Sequence, residues 1–134
     1  IVIDAKSAND PILKSVLRIA CPGAVKLSVL DAQKAAANLV SGKYGNERIT
    51  IVTKTPANII ALTEGGFKPE CDVTVGNMSN GEGKKRVTKN ICVTEADIAD
   101  FHQLNSQGIK LVQQLVPSEA ATEFMPLLET AEKE

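Results

Sequence analysis

In Val73-Thr74-Val75-Gly76-Asn77-Met78-Ser79, the most informative segment of the sequence, an apolar, β-branched strand ends in a polar loop that contains a glycine. The segment Gly81-Glu82-Gly83-Lys84-Lys85-Arg86-Val87 follows and carries a cluster of three successive basic residues. In open α/β sheets, ligands bind beyond the carboxyl ends of the strands. A strand with such a loop at its end therefore predicts both an α/β fold and the edge of the sheet where a site would lie.

Short β-branched runs alternate with helical patterns along the chain. This alternation predicts repeated β-α-β units, and so an α/β fold with an open, mostly parallel twisted sheet and helices on both faces. The predicted strands are Ile1 to Asp4, Val25 to Leu30, Arg48 to Thr53, Cys71 to Val75, Asn90 to Val93 and Ile109 to Val116. The first and third runs are almost continuously apolar, which predicts strands covered on both faces. The last run is more mixed and suits an edge or a half-covered position.

The predicted helices are marked by the residues at their ends. Start signals are Asp10-Pro11, Asp31, Thr55-Pro56, the capping box Thr94-Glu95-Ala96-Asp97 and Ser118, and stop signals are Gly42, Gly65-Gly66 and Gly108. Ile12, Val16 and Ile19 share one face of the first of these helices. Pro126 lies about two turns into the last helix, which predicts a kink or a break there.

Length and composition limit the classes of protein that fit. The 134 residues predict a single α/β domain, 1–134, with one core. A net charge of −1 argues against bulk binding to nucleic acid or to an anionic membrane. No apolar run approaches the ~20 residues needed to cross a bilayer. The three cysteines, Cys21, Cys71 and Cys92, are far apart and lack C-x-x-C spacing, which indicates reduced thiols in a cytosolic protein and no metal site.

The loops that leave the carboxyl ends of the strands are the first candidates for a site. Thr55 begins a predicted helix whose free backbone N–H groups suit an anion, and Gly76-Asn77 permits close approach of the backbone. The structural alternative is that Thr55 only starts a helix and Gly76 only turns the chain. Asp4, at another strand end, either lines a site or caps local turns.

The Gly81-Glu82-Gly83-Lys84 segment suggests nucleotide binding, but the spacing does not fit. A P-loop would need Gly at Met78 and Ser or Thr at Lys85, and a dinucleotide fingerprint would need Gly or Ala at Arg86. ATP and NAD are therefore disfavoured. What remains is either a mobile cationic loop, in which Lys84 or Arg86 contacts a phosphate or a partner, or a solvated polar loop.

His102 is the sole histidine, and it follows Phe101 on a predicted helix. It is far in sequence from the carboxyl end of any predicted strand. No Ser, Cys or carboxylate spacing around it indicates a catalytic set. We therefore interpret His102 as a surface or boundary histidine and Cys21, beside Pro22, as a packing or loop residue.

These segments resemble the IIB subunit of the mannose/fructose/sorbose class of bacterial phosphotransferase systems. Val75-Gly76-Asn77-Met78 and Gly83-Lys84 carry the resemblance, which extends through Ile1-Val2-Ile3-Asp4, the segment Ala20 to Leu30, Ser41-Gly42-Lys43-Tyr44 and Gln114-Leu115-Val116-Pro117. The resemblance implies a cytoplasmic phosphocarrier enzyme that uses no metal or other cofactor. Such a protein takes a phosphoryl group from a phosphohistidine of IIA, holds it on its own histidine and passes it to a sugar imported by the membrane subunits IIC and IID.

The resemblance also implies where the site lies. By matching position, the residues around the reactive histidine would be Asp4, Lys54, Thr55, Asn77, Met78 and Ser79. In this family that histidine follows a strand upstream of the position of Ile1, so the chain is expected to be N-terminally incomplete. The absent strand is expected between the strands Ile1 to Asp4 and Arg48 to Thr53. A non-catalytic or truncated α/β ligand-binding or regulatory domain is the competing class, and the sugar and any homo-oligomer stay open.

Overall fold

Several helices begin at the predicted capping residues. In the computed structural model, which describes residues 1–133, Asp10 and Asp31 each accept hydrogen bonds from backbone N–H groups of the first helical turn. Thr94 accepts a hydrogen bond from the N–H of Asp97, and the Asp97 carboxylate accepts one from the N–H of Thr94. Each bond satisfies an N–H group that has no partner within its helix. These predicted helix starts are confirmed.

The described chain divides after Lys68 into two units, and each is described by itself. The N-terminal unit contains β1 (Val2–Ile3), α1 (Ala5–Ala8), α2 (Pro11–Ala20), β2 (Val29–Leu30), α3 (Ala32–Val40), β3 (Val52–Thr53) and α4 (Pro56–Glu64). Its three strands form a parallel sheet in the order β2-β1-β3. The strands are shorter than predicted, and α1 was not predicted.

β1 pairs directly with β3, so the predicted place for an additional strand is wrong. Val2 lies opposite Val52 and Ile3 opposite Thr53 in parallel register. β3 is also an edge strand of this sheet, and 53% of Val52 is exposed. The prediction that the run Arg48 to Thr53 is covered on both faces is therefore wrong as well. An apolar sequence does not by itself determine burial, since apolar atoms make up much of any protein surface.

The core of the N-terminal unit joins β1 to the helices α3 and α4. Its buried members are Ile3, Ala35, Ala36 and Leu62. Gly65, at the end of α4, packs against Ala36 of α3. A Cβ atom at position 65 would lie 2.6 Å from the Cβ of Ala36, closer than two non-bonded carbon atoms approach in proteins. The close packing of these two helices therefore requires glycine at this position.

The apolar face of α2 is not buried. Ile12, Val16 and Ile19 share one face of the helix, as their spacing predicts, but Ile12 and Ile19 are 75% and 85% exposed. The partly buried apolar residues of α2 are Leu13 and Leu17. The periodicity of a sequence therefore predicts an apolar stripe without showing what covers it.

The C-terminal unit begins at Pro69. Its described elements are β4 (Val73–Val75), β5 (Lys85–Thr88), β6 (Ile91–Val93), α5 (Glu95–Ser106), β7 (Leu111–Gln113), β8 (Thr122–Glu123) and α6 (Met125–Glu132). β7 lies between β4, to which it is parallel, and β8, to which it is antiparallel. β5 and β6 form an antiparallel pair. Parallel pairing between strands that are separated by helices confirms the predicted α/β class.

Three expectations for the C-terminal unit are wrong. Lys85 and Arg86, predicted to lie in a loop, belong to strand β5. β7 was expected at an edge or in a half-covered position but is a central strand with the successive residues Leu111 and Val112 both buried. The last helix begins at Met125 rather than at Ser118. Pro126 therefore lies in the first turn, where its missing N–H is not needed and no kink follows.

The core of the C-terminal unit contains a pair of aromatic rings. Phe101 of α5 and Phe124, which precedes α6, are both buried, and their ring centroids lie 4.7 Å apart at an interplanar angle of 57°.

None of the helices within residues 1–133 is long and apolar enough to cross a membrane.

Candidate functional site

Asp4 and Lys54 meet at the carboxyl ends of β1 and β3. The register that pairs these strands brings the next residue of each side by side, and Lys54 Nζ lies 3.5 Å from Asp4 Oδ2. Ser7 Oγ donates a hydrogen bond to the same carboxylate oxygen at 2.6 Å. The sequence reasoning named Asp4 and Lys54 but missed Ser7. The signal that could have identified it is a hydroxyl three residues after an acidic residue at a helix start.

The surroundings of Asp4 favour its ionised form. The hydrogen bond from Ser7 lowers the Asp4 pKa below its ordinary value, burial opposes this shift, and the charge of Lys54 lowers the pKa further. Ser7 is buried, whereas the Lys54 side chain is largely exposed. The cluster is thus an anchored carboxylate that holds a solvent-facing ammonium group at the edge of the sheet.

Thr55 begins α4 at this same edge. It is the N-cap residue, as predicted, but its hydroxyl caps none of the described backbone N–H groups. Pro56 has no N–H, so the first helical donors without an intrahelical partner are the backbone N–H groups of Ala57 and Asn58. The Asn58 side chain donates to the carbonyl of Ile3 at 3.3 Å, which fixes the start of α4 at the end of β1. These donors and the helix dipole make the edge suitable for an anion.

The loop that follows β4 is held by its own backbone. Met78 forms a parallel bridge to β6: its N–H donates to the carbonyl of Asn90 at 3.0 Å, and its carbonyl accepts from the N–H of Cys92 at 2.9 Å. The Met78 side chain is buried, while Asn77 and Ser79 on either side of it are exposed. Met78 therefore anchors the loop to the core. Asn77 and Ser79, which the family resemblance places at the site, lie on this anchored backbone.

Lys84 closes the next turn of this segment. Its Nζ donates to the carbonyl of Ser79 at 2.8 Å, and its methylene carbons pass beside Gly81. Gly83 adopts a φ of 75°, in the region that favours glycine. Lys84 thus stabilises the connection between β4 and β5. Arg86 is exposed and presents its charge from strand β5 rather than from a loop.

A second loop follows β7 and leaves the sheet β4-β7-β8 at the same edge as the loop after β4. The backbone N–H of Gln114 donates to the carbonyl of Val75 at 3.2 Å, so the pairing of β4 with β7 continues up to the loop. Glu119 closes the loop: its carboxylate accepts from the N–H of Leu115 at 3.0 Å, and its carbonyl accepts from the Gln114 side chain at 2.6 Å. Leu115 and Val116 lie exposed between these contacts.

His102 lies on the surface of α5, as predicted. Its Nε2 lies 3.0 Å from Oε2 of Glu132 on α6. The sequence reasoning found no carboxylate beside His102, because 30 residues separate the two positions. The pair joins two helices and does not lie at a strand end. Among residues 1–133, no cluster of three or more His, Cys, Asp or Glu side chains could hold a metal ion.

The structure brings together the predicted site residues within each unit. Asp4, Lys54 and Thr55 lie at one edge of the N-terminal sheet. Asn77 lies in the loop after β4, and Lys84 is hydrogen-bonded to that loop. The expectation that Lys54, Thr55 and Asn77 lie around one reactive histidine involves both units and stays a prediction.

The whole chain matches a known family of proteins. Residues 1–134 match the family model described as PTS system sorbose subfamily IIB component. The chain belongs to this IIB family. The resemblance inferred from the strand and loop motifs is therefore confirmed.

Individual relatives agree with the family match. The IIB chain is 31% identical, over 133 residues, to the fructose-specific EIIB component of Bacillus subtilis (strain 168), covering 99% of this chain and 81% of that protein. It is 32% identical, over 133 residues, to the mannose-specific EIIAB component of Escherichia coli (strain K12), covering 99% of this chain and 41% of that protein. A solved structure described as a phosphoenolpyruvate-dependent phosphotransferase system superimposes with a TM-score of 0.89 at 30% identity, covering 96% of this chain and 80% of that chain.

Proposed function

We propose that this IIB chain is part of a phosphocarrier that accepts a phosphoryl group from a IIA protein on a histidine and transfers it to a sugar. The reaction class is that of a protein-N(pi)-phosphohistidine–sugar phosphotransferase. The family match carries the proposal. The accepting histidine is proposed to lie upstream of Ile1 in the natural protein. Support comes from His102, the sole histidine of the sequence, which pairs with Glu132 between two helices and does not lie at the end of a strand.

The proposed chemistry is two successive in-line displacements. In the first, a ring nitrogen of the accepting histidine forms a bond to phosphorus while the N–P bond of the donor phosphohistidine breaks. In the second, a sugar hydroxyl oxygen forms a P–O bond, the N–P bond of the carrier breaks and the hydroxyl proton is released. Most of the catalytic effect in such transfers comes from positioning and from charges aimed at the phosphoryl oxygens.

The N-terminal unit offers groups for that task. The Lys54 ammonium and the backbone N–H groups of Ala57 and Asn58, in the first turn of α4, lie at the carboxyl edge of its sheet. We assign them the role of binding phosphoryl oxygens, since both favour negative charge. Asp4 would then position Lys54 rather than touch the phosphoryl group, because a carboxylate repels it. Ser7 would hold Asp4 in place through its 2.6 Å hydrogen bond.

The C-terminal unit offers a second set of groups. The exposed Asn77 amide and Ser79 hydroxyl are proposed to donate hydrogen bonds to the phosphoryl group, with the buried Met78 as their support. Lys84 and Arg86 are proposed to contact either the phosphoryl group or the partner. The bond from Lys84 to the Ser79 carbonyl supports a role for Lys84 in shaping this loop.

The proposed partners follow from the family. The Escherichia coli relative is named as an EIIAB component, which supports a IIA partner for this chain. The phosphoryl group would pass to a sugar that the membrane subunits IIC and IID bring inward, so a cytoplasmic location at the inner face of the membrane is proposed. Relatives are named for fructose, sorbose, mannose and N-acetylgalactosamine, and the sugar used by this chain therefore stays open.

Phosphorylation of the natural full-length protein tests the proposal. Incubation with phosphoenolpyruvate, the general phosphotransferase proteins and a cognate IIA should give an acid-labile phosphoryl group. The His102→Ala variant should label fully, whereas Lys54→Ala should label about 100-fold more slowly, as expected when one charge-stabilising group is lost. Loss of label in His102→Ala would contradict the proposal that the accepting histidine lies upstream of Ile1. Absence of label in the wild-type protein would favour the non-catalytic binding domain.

A further inference from the structure

We propose that Leu115 and Val116 form an apolar docking contact for the protein that delivers the phosphoryl group. This inference rests on the proposed function, because it assigns a surface to the donor of that reaction. The expected partner is a phosphohistidine-bearing protein with apolar side chains around its phosphoryl group. Leu115 and Val116 are here called the β7 tip.

The β7 tip is a pair of large apolar side chains in an exposed loop that also carries polar side chains. Leu115 and Val116 are 44% and 48% exposed, and among the described residues of the C-terminal unit they are the large apolar side chains that stay exposed. Ser118 and Glu119 follow in the same loop. Protein interfaces commonly have a small apolar centre within a polar rim, and a few central residues supply most of the binding free energy. The β7 tip has this composition.

The loop that carries the β7 tip is held in shape before any partner binds. Glu119 accepts a hydrogen bond from the Leu115 N–H, and its own N–H donates to the carbonyl of Val116 at 3.0 Å. At the base of the loop, Thr122 Oγ1 donates to Gln113 Oε1 at 3.0 Å. Ordering a loop on binding opposes association. A loop that is already closed by these bonds avoids that penalty, as a docking element should.

The position of the β7 tip determines which partner it would meet. β4 and β7 are adjacent parallel strands, so the loops that follow them lie at the same edge of the sheet. The loop after β4 contains Asn77, a proposed phosphoryl-binding residue, and the β7 tip follows Gln114, which bonds to the end of β4. A donor protein must bring its phosphohistidine to this edge. It would therefore cover the β7 tip, whereas a small-molecule donor would not need to.

The test compares a protein donor with a small donor, using the natural full-length protein. The double variant Leu115→Ser/Val116→Ser should raise the KM for phosphorylated IIA by about 10–100-fold with kcat unchanged, the effect expected when central interface residues are lost. Its labelling by phosphoramidate, which needs no protein interface, should equal that of the wild type. The matched control is Val25→Ser, which changes a side chain that is 57% exposed in the loop before β2, at the amino end of that strand.

Glu119 provides a second, independent variant. Glu119→Ala removes the acceptor for the Leu115 N–H and should raise the same KM about threefold to tenfold, because the loop must be ordered on binding. Glu119→Gln keeps an acceptor oxygen and should stay closer to the wild type. An unchanged KM in the double variant overturns the docking inference, and so does an equal loss of labelling by IIA and phosphoramidate. If the wild type accepts from neither donor, the proposed function itself fails.

Discussion

Asp4 and Lys54 form an ion pair, with 3.5 Å between Oδ2 and Nζ, because each directly follows one of two adjacent parallel strands. Neighbouring strands are about 4.8 Å apart, so side chains that leave them at the same level can touch. One strand inserted between β1 and β3 would separate the two residues by roughly 10 Å. The ion pair is therefore a consequence of the strand order, and Ser7 adds the hydrogen bond that orients the carboxylate.

The first prediction concerns the titration of Asp4. Ser7→Ala removes the main cause of the lowered Asp4 pKa, so the pKa should rise toward the ordinary value of ~3.9. Because the folded-state pKa is lowered, the stability that Asp4 contributes is present above its unfolded pKa and is lost as the pH falls through the folded pKa. Ser7→Ala should therefore shift acid unfolding to higher pH. Carboxyl ¹³C chemical shifts followed by NMR measure the pKa directly.

Ser15→Ala is the control for this experiment. The Ser15 hydroxyl bonds only locally, to the carbonyl of Pro11 on α2, so its removal should leave the Asp4 pKa unchanged. Equal Asp4 pKa values in the wild type and in Ser7→Ala would contradict the assignment of the hydrogen bond.

The second prediction concerns the contact between α3 and α4. Gly65→Ala places a methyl group 2.6 Å from the Cβ of Ala36 and should lower the free energy of unfolding by about 1–3 kcal/mol, the usual effect of overpacking. Adding Ala36→Gly should restore part of that loss, although glycine within a helix itself costs about 1 kcal/mol. Urea unfolding of the four proteins in this double-mutant cycle gives the coupling energy.

Gly23→Ala serves as the comparison, since an added Cβ there meets nothing within 4 Å. It should change the free energy of unfolding by much less than Gly65→Ala. Independent, additive effects of Gly65→Ala and Ala36→Gly would show that the two helices do not touch at this point.

The third prediction concerns the start of α5. Thr94→Ala removes the hydroxyl that accepts from the Asp97 N–H and should lower the free energy of unfolding by about 1 kcal/mol. Thr94→Ser keeps the hydroxyl and should lose less than half of that. Hydrogen exchange should locate the change in the first turn of α5. Equal exchange there in the wild type and in Thr94→Ala would argue against the capping box.

The fourth prediction concerns Asp100 on α5. Burial, and secondly the nearby Asp97 carboxylate, raise the Asp100 pKa, so the ionised form is less favourable in the folded chain than in the unfolded one. This destabilisation is present above the folded pKa and disappears as the pH falls through it. Asp100→Asn should therefore increase the Tm at pH 7 and lose that advantage at lower pH.

Asp72→Asn makes the same chemical change at an exposed position before β4 and should leave the Tm nearly unchanged. Thermal unfolding followed by circular dichroism at several pH values compares the two variants. An advantage of Asp100→Asn that stays constant down to low pH would rule out a titration effect.

Features that depend on neighbouring residues were predicted best. The caps at Asp10, Asp31 and Thr94 involve contacts within a few positions, so the residue types at those positions determine them. Strand order and burial were not predictable in this way. Whether β1 pairs with β3, or whether Val52 is covered, depends on distant segments of the chain.

The candidate site shows the same limit. Asp4 and Lys54 were named because each follows a predicted strand. Ser7 was missed because it lies on α1, a helix of four residues that is too short to show an apolar periodicity. Lys85 and Arg86 were placed in a loop because charge and neighbouring glycines outweighed the strand pattern that continues into Val87.

The exposed apolar face of α2 affects how strongly molecules of the purified 134-residue chain associate in concentrated solution. Ile12, Val16 and Ile19 give each molecule an exposed apolar stripe. At high protein concentration, burial of these stripes against one another favours association over the charge repulsion that keeps molecules apart. Turbidity should therefore rise with protein concentration even where the fold is intact. Lysine at these three positions would retain the helix, since lysine is a good helix former, and would keep concentrated solutions clear.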